Sequence, residues 1–271
     1  MPLAVRRVES VKAAAAVLAA DPCARFLAGG TLLVRNANSG DVTIQTLVLS
    51  DGLGLDRIAI AGGKAEIGAA VTMVQILAHP QLAFLAPVAG SIGGPAVRNM
   101  ATVGGNLFAP YPYGDFAVAL LALGATVTVE DASGSRSQNL EAFLGDSSPG
   151  SGVVTGVSFA LPPADAFRFA KAIRRKPHGA SVLAIAALLP MAGGRIAGAR
   201  IAYGAMAATP MRARAVEAVL EGKALSAGTV SEAVAVATEG CKPLSDPQAS
   251  AWYRLQILPV HLRRLLSGEA H

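Results

Sequence analysis

Two short segments of this chain combine an adjacent glycine pair with a threonine, a combination suited to binding phosphate. The first is LAGGTLLV, residues 27–34, in which Thr31 follows the pair, and the second is ATVGGNL, residues 101–107, in which Thr102 precedes it. Backbone N–H groups in a tight turn can converge on a diphosphate only where no Cβ atom blocks the approach. Taken alone, either pair is more simply explained as an ordinary turn, because single short motifs carry little information.

A single carboxylate, Asp115, stands directly before the apolar segment FAVALLALG. It is well placed to act as the N-cap of a helix. A carboxylate can also accept hydrogen bonds from two ribose hydroxyls, as in other dinucleotide sites, and both roles can coexist. No G-x-G-x-x-G motif follows a predicted strand, so a Rossmann nicotinamide site is disfavoured.

The composition sets the class of protein that must position these residues. Hydrophobic residues make up 52% and charged residues 15% of 271 residues, which indicates a globular protein with two domains or clear subdivisions. The net charge of +5 comes from scattered basic residues, apart from Arg174-Arg175-Lys176 and Arg263-Arg264. With 5% aromatic residues, nucleic acid is disfavoured as a partner, whereas a small phosphate-bearing molecule is compatible.

Cysteine content and apolar runs limit the possible sites and locations. Only Cys23 and Cys241 occur, without a C-x-x-C pair, so we expect no metal site or iron–sulfur centre on this chain. The apolar runs 116–129 and 179–194 are too short for a membrane span or contain a proline. We expect a soluble, cytoplasmic protein.

The N-terminal half alternates helices and strands. Ser10 is expected to cap a helix that ends at Asp21, and ARFLAGG is expected to form a strand that leads into a turn. Alternating segments around Gly62-Gly63 predict a hairpin, and Thr72 is expected to cap the next helix.

The pattern changes after residue 162. Strand candidates are grouped first, in FRFAKAIRR, SVLAIAALLPM and RIAGARIAYGAM, with AGGR predicted as the turn joining the last two. Three helix candidates follow, at 211–222, 229–241 and 247–268. This grouping predicts an α+β domain with helices on one face of a sheet.

Four segments together resemble the FAD-binding medium subunit of the molybdenum hydroxylases, the xanthine dehydrogenase and aerobic carbon monoxide dehydrogenase family. They are LAGGTLLV, PAVRNMATVGGNLFAPYPYGDFAVALLALGATV, ARIAYGAMAATPMRARAVEAVLEGKALS and WYRLQILPVHLRRLL. The resemblance covers nearly the whole chain in the same order. The block RNMATVGGN, residues 98–106, is its most specific part.

The resemblance implies an α+β fold. An N-terminal FAD-binding domain, residues 1–162, would consist of two α/β subdomains of about 1–56 and 57–162. A C-terminal domain, residues 163–271, would contain antiparallel strands and three helices.

The resemblance also implies which residues bind the cofactor. Both glycine loops would wrap the FAD pyrophosphate, Asp115 would bind the adenosine ribose, and Lys171 would lie near the flavin. No catalytic side chain and no metal ligand is implied, and FAD would be non-covalent because neither loop contains His or Cys. The implied FAD-binding residues are Leu27, Ala28, Gly29, Gly30, Thr31, Leu32, Leu33, Thr102, Val103, Gly104, Gly105, Asn106, Ala109, Asp115, Leu161 and Lys171.

The function implied is that of an electron-transfer subunit. A small iron–sulfur subunit with [2Fe-2S] clusters would deliver electrons from a large subunit holding the molybdenum cofactor, and FAD would pass them to an external acceptor. Two alternatives remain open: a self-sufficient FAD-dependent oxidase or dehydrogenase, and a non-enzymatic nucleotide-binding protein.

Two positions depart from the family pattern. Leu32 stands where many relatives have Asp after the Gly-Gly-Thr, and His178 stands near a position where many have Asp. The first change matters little if backbone groups bind the cofactor. The second leaves the electron acceptor open, and His178 itself is expected to lie in an exposed loop.

Overall fold

A computed structural model describes residues 3–146, 152–176 and 178–269 of the chain. The strands, in chain order, are β1 Ala4–Arg6, β2 Ala24–Leu27, β3 Thr46–Leu49, β4 Ile58–Ala61, β5 Lys64–Gly68, β6 Thr126–Asp131, β7 Gly134–Asn139, β8 Val153–Ala160, β9 Phe167–Ile173, β10 Ser181–Leu188, β11 Met191–Ala192, β12 Arg195–Ile196, β13 Arg200–Gly204 and β14 Met211–Arg212. The α-helices are α1 Val11–Ala20, α2 Leu33–Asn38, α3 Met73–Ala78, α4 Ala86–Gly90, α5 Pro95–Arg98, α6 Val103–Leu107, α7 Asp115–Ala122, α8 Leu140–Gly145, α9 Arg214–Leu220, α10 Ala227–Ala235 and α11 Ala251–Ser267. A 3-10 helix covers Pro80–Leu85.

The chain forms two compact units that do not follow a single cut in the sequence. Unit 1 contains residues 1–83, 92–109 and 125–160, and unit 2 contains residues 84–91, 110–124 and 161–271. Unit 2 therefore includes two segments from the first half of the chain. The predicted division at residue 162, with its two N-terminal subdomains, stays a prediction.

Unit 1 contains two sheets. A parallel three-stranded sheet has the order β1-β3-β2, and an antiparallel five-stranded sheet has the order β4-β5-β8-β6-β7. Helix α1 begins after Ser10, whose side chain accepts a hydrogen bond from the N–H of Ala13 at 3.1 Å. Strand β2 ends where the first glycine loop begins, so the parallel sheet fixes one end of that loop.

Unit 2 is built on the antiparallel sheet β14-β13-β10-β9. Every residue of helix α7 is buried, and this helix packs on β10 and β13. Gly204 permits the close approach, because a Cβ atom there would lie 2.8 Å from the Cγ2 atom of Val118. Helices α9, α10 and α11 complete the unit, with Leu220, Ala233 and Leu258 in the same core as β10 and β13.

The α+β fold predicted from the sequence is confirmed. The predicted N-terminal helix, the hairpin at Gly62-Gly63 and the three C-terminal helices are present. The AGGR turn joins β11 to β12, a small hairpin, while β10 and β13 pair directly with each other. The first of the C-terminal helices begins three residues later than predicted, because Met211–Arg212 pairs with β13 as strand β14.

Candidate functional site

The first glycine loop joins strand β2 to helix α2 in unit 1. Leu27 is the last residue of β2, Ala28 to Leu32 form the loop, and Leu33 is the first residue of α2. Gly30 has φ +67°, a left-handed conformation that favours glycine. Within the described part of the chain, the backbone N–H groups of residues 29–33 donate to no protein acceptor. The loop thus offers consecutive donors without protein partners, in line with its predicted role.

Gly29 brings the two glycine segments together. A Cβ atom on Gly29 would lie 1.7 Å from the carbonyl oxygen of Met100 and 3.3 Å from the Cα atom of Ala101. No side chain fits at that distance, so glycine is required by direct backbone contact. Met100 and Ala101 immediately precede the second glycine loop, and the structure therefore places both loops side by side.

The second loop is the first turn of a short helix. Thr102 is the N-cap of α6, and its hydroxyl accepts a hydrogen bond from the N–H of Gly105 at 3.1 Å. The other N–H groups in the turn also have protein acceptors: Val103 donates to Val71 and Gly104 donates to Ala69, both at 2.8 Å, and Asn106 donates to Thr102 at 3.1 Å.

The two glycines of this loop face different surroundings. Gly104 is buried, and a Cβ atom there would lie 2.8 Å from the Cβ atom and 3.0 Å from the carbonyl oxygen of Ala69. Gly105 is exposed, and a Cβ atom there would meet just the hydroxyl of its own cap, Thr102, at 2.9 Å. Gly104 therefore serves packing, while Gly105 leaves the surface of the loop open.

Asp115 lies in unit 2 and is not the helix cap that its position suggested. The N-cap of α7 is Gly114, with φ +99°, and Asp115 is the first helical residue. Its carboxylate points instead to two side chains of the sheet. Oδ2 accepts from Lys171 Nζ at 2.7 Å and Oδ1 accepts from Ser181 Oγ at 2.5 Å. The capping prediction was therefore wrong by one residue: the backbone at the N-cap position is left-handed, a conformation that glycine adopts more readily than Asp.

The structure joins Asp115 and Lys171 in a buried ion pair. Asp115 is 6% exposed, and Lys171 Nζ also donates to the carbonyl oxygen of Ser91 at 3.0 Å. Ser181 and Ser91 were not identified from the sequence. The signal for Ser181 was a polar residue at the start of the apolar strand SVLAIAAL, where burial requires a hydrogen-bond partner.

A second polar centre in unit 2 surrounds Arg254, which is fully buried in α11. Its guanidinium donates to the carbonyl oxygens of Val182 at 2.9 Å and Leu244 at 2.7 Å, and to both carboxylate oxygens of Asp246. Burial raises the pKa of Asp246, but the N–H of Ala249 and the Arg254 guanidinium outweigh it, so this pKa lies below its usual value. The guanidinium also lies 5.1 Å from the centre of the Tyr111 ring.

The remaining predicted positions lie at the ends of elements. Ala109 is half-buried after α6, and its N–H donates to the carbonyl oxygen of Asn106 at 3.4 Å. Leu161 directly follows β8 and is half-buried. His178 is exposed, as expected, and Pro177 before it lies outside the described residues.

Neither a metal-binding cluster nor a membrane-spanning helix occurs among the described residues. Across 3–146, 152–176 and 178–269, no three His, Cys, Asp or Glu side chains are grouped as a metal site would require. No helix in these ranges has the length and apolar character needed to cross a bilayer.

Two protein families match the chain, one in each half. Residues 2–158 match the family described as FAD binding domain in molybdopterin dehydrogenase. Residues 168–268 match the family described as CO dehydrogenase flavoprotein C-terminal domain.

Individual relatives match over almost their full length. The glyceraldehyde dehydrogenase medium chain of Sulfolobus acidocaldarius is 30% identical over 269 residues, which cover 94% of this chain and 93% of that protein. A chain of the reconstituted CO dehydrogenase from Oligotropha carboxidovorans superimposes with a TM-score of 0.91 at 28% identity, covering 98% of both chains. A chain of quinoline 2-oxidoreductase from Pseudomonas putida 86 gives a TM-score of 0.89 at 29% identity, covering 99% of this chain and 96% of that one.

Proposed function

This chain belongs to the FAD-binding medium subunits of the molybdenum hydroxylases, and on that premise we propose how its residues bind FAD and support electron transfer. The protein is the FAD-dependent subunit of a heteromeric oxidoreductase. Molybdenum cofactor and [2Fe-2S] clusters belong to partner subunits. Electrons pass from the iron–sulfur partner through FAD to an external acceptor.

The first glycine loop carries this proposal. Within the described residues, the N–H groups of residues 29–33 have no protein acceptor, and Gly29 contacts the backbone that directly precedes the second loop, in which Gly105 is exposed. A diphosphate needs several donors at close range, and backbone N–H groups supply them without the entropy cost of ordering long side chains. The residues present therefore fit the pyrophosphate of FAD. The first loop would donate the hydrogen bonds, and the second loop would form a surface that carries no side chain at Gly105.

The second loop contributes shape more than hydrogen bonds. Its N–H groups already have protein acceptors, so they would have to be shared to bind phosphate. Gly105 keeps the surface free of a side chain, and Gly104 sets α6 against Ala69. We propose that Thr102 acts by capping α6, which holds the surface at Gly105 in place.

Asp115 remains our candidate for the adenosine ribose. A carboxylate offers about four lone-pair positions, and Lys171 and Ser181 use two of them. We propose that the remaining positions accept hydrogen bonds from the two ribose hydroxyls. Lys171 would then fix the carboxylate and neutralise its charge, and its predicted place near the flavin stays a proposal.

FAD itself supplies the redox chemistry, since its isoalloxazine takes up and releases electrons. The chain supplies binding and orientation, and we assign no proton transfer to any of its side chains. Of the two alternatives, the self-sufficient enzyme lacks support because the relatives are medium chains and FAD-binding subunits. The non-enzymatic protein lacks support because those relatives are parts of dehydrogenases.

Flavin analysis tests the proposal directly. The purified chain should carry FAD that is released completely by acid precipitation and identified as FAD by chromatography. Flavin retained on the precipitated protein, or FMN in place of FAD, would refute the proposed dinucleotide site.

Reconstitution tests the role as a subunit. The isolated chain should show no flavin bleaching with purines, aldehydes or carbon monoxide, and adding the iron–sulfur and molybdenum subunits of its complex should restore reduction by that complex's substrate. Rapid bleaching in the single chain would instead support a self-sufficient enzyme.

We also propose a cytoplasmic location for the complex. Cys23 and Cys241 are both free thiols in this structure, which suits a reducing compartment. Cell fractionation with an antibody to the chain tests this location, and recovery in the periplasmic or extracellular fraction would contradict it.

A further inference from the structure

A β-bulge interrupts strand β10 of unit 2 at its first residues. Ser181, the first residue of β10, pairs with Ile173 of strand β9. Leu183 pairs with the preceding residue of β9, Ala172, so Val182 is an extra residue on β10. A bulge of this kind bends the strand and changes the direction of the side chain that precedes it.

The bulge decides which face of the sheet carries the Ser181 side chain. Side chains alternate between the two faces of a regular strand, so Ser181 would share the face of Leu183, which lies in the core with helices α9, α10 and α11. With the extra residue, Ser181 instead shares the face of its partner Ile173, and Lys171 lies on that same face two residues earlier. Both Lys171 and Ser181 consequently point to helix α7, where both donate to Asp115.

The buried Arg254 holds the bulge in place. Among the described strands, Val182 has no partner in the register of either β9 or β13, so its buried carbonyl group needs another donor. Arg254 Nε supplies that donor at 2.9 Å. The guanidinium is fixed in turn by both carboxylate oxygens of Asp246. The position of Ser181 is therefore set by contacts within unit 2.

We infer that Ser181 is a positioning residue for FAD, whose hydroxyl fixes the plane of the Asp115 carboxylate so that its remaining lone pairs meet the adenosine ribose. Lys171 holds Oδ2 through an ammonium group, a point charge with rotatable donors that does not by itself fix that plane. The second contact, from Ser181 Oγ to Oδ1, removes this freedom and adds no charge. The inference rests on the proposed function, in which the same carboxylate accepts hydrogen bonds from the ribose hydroxyls.

Titrations of the full FAD-free chain with two probes test the inference. The probes are FAD and an FAD analogue whose adenosine ribose lacks both hydroxyls. The wild-type chain should bind the analogue about tenfold or more weakly than FAD, because the carboxylate then meets no donor. Ser181→Ala should weaken the binding of FAD by about fivefold or more and leave the affinity for the analogue at its wild-type value. A purely structural role of Ser181 would weaken both probes equally.

A matched control removes a buried contact between a hydroxyl and a carboxylate elsewhere in the chain. Thr46 is 6% exposed at the start of strand β3, and its Oγ1 donates to Asp21 Oδ2 at 2.9 Å. Thr46→Val keeps the shape of the side chain and should bind both probes as wild type does. Urea unfolding identifies the conditions under which each variant is folded. If Ser181→Ala does not fold, Ser181→Cys carries the same comparison, because a thiol is a weaker donor of similar size.

The results separate this inference from the proposed function. If the wild-type chain binds FAD and the analogue equally well, the proposed contact between Asp115 and the ribose fails, and the inference fails with it. If wild type prefers FAD and the folded Ser181 variant keeps the same preference, this inference alone fails. An equal loss of FAD affinity in Thr46→Val would also overturn it, because the loss would then follow from removing any buried hydroxyl.

Discussion

The buried pair between Asp115 and Lys171 makes a prediction about the stability of unit 2. In Asp115→Asn, the amide oxygen can still accept from Ser181, but the amide NH2 then faces the Lys171 ammonium. Of the two hydrogen-bond acceptors described for Lys171, the variant leaves the carbonyl oxygen of Ser91, and the Lys171 side chain is 8% exposed. Removing one member of a buried ion pair costs about 3–5 kcal/mol, so we expect a loss of that size in the free energy of unfolding.

Urea unfolding of the FAD-free chain, followed by circular dichroism, measures this loss. Glu66→Gln is the matched control, because Glu66 and Lys64 form an ion pair of similar length, 2.8 Å, with both side chains more than half exposed. That change should cost less than about 1 kcal/mol. Adding Lys171→Met to Asp115→Asn should recover more than half of the loss, since it removes the unpaired charge.

The same variant separates stability from cofactor binding. If Asp115 also accepts hydrogen bonds from the ribose hydroxyls, Asp115→Asn should weaken the binding free energy of FAD by about 1–3 kcal/mol under conditions where the protein is fully folded. A stability loss no larger than that of Glu66→Gln would refute the argument from the buried pair. Unchanged FAD affinity in the folded variant would remove Asp115 from the binding site.

Three further predictions concern single residues. Gly105→Val should weaken FAD binding by about tenfold or more, a loss of about 1.4 kcal/mol. The control is Gly145→Val, at an exposed helical glycine with no neighbour within 4 Å, which should leave the FAD affinity measured by titration unchanged. Equal affinities of the two variants would disprove the proposal that Gly105 keeps the surface beside the cofactor free of a side chain. Gly29→Ala should abolish FAD binding and lower the urea midpoint, because the new methyl collides with the Met100 carbonyl, and wild-type behaviour would show that the loops can separate at little cost. In a Cys23→Ser background, Cys241 should react slowly with iodoacetamide at neutral pH, because burial raises the pKa of its thiol to about 11. The reaction should be faster in the unfolded protein. An equally fast reaction in the folded protein would contradict the protection of this thiol.

Sequence patterns predicted the elements whose signals are local. Ser10 and Thr72 each cap a helix through their own hydroxyl, and the turn at Gly62-Gly63 lies between alternating strands. Strand β7 and helix α8 were not predicted from the sequence, because the Ser and Gly residues around them are typical of loops and strand β7 is mostly exposed.

The site was predictable as a set of residues but not as a set of contacts. Both glycine loops could be identified, yet the contact between Gly29 and the Met100 carbonyl depends on segments about 70 positions apart in the sequence. The pairing of Asp115 with Lys171 likewise depends on how α7 packs on the sheet, which no local pattern specifies. Within the described part of the chain, the glycine N–H groups of the second loop have protein acceptors and those of the first loop have none, and this difference arises only when the chain folds.

The position of α7 in the chain determines how the gene for this protein can be divided. A fragment ending near residue 160 would keep α7 but lose β10 and β13, the strands on which this fully buried helix packs. A fragment starting near residue 161 would leave the same sheet without its cover. Each half should therefore be insoluble when expressed alone, whereas co-expression of the two halves as a split protein should restore a soluble, FAD-binding assembly.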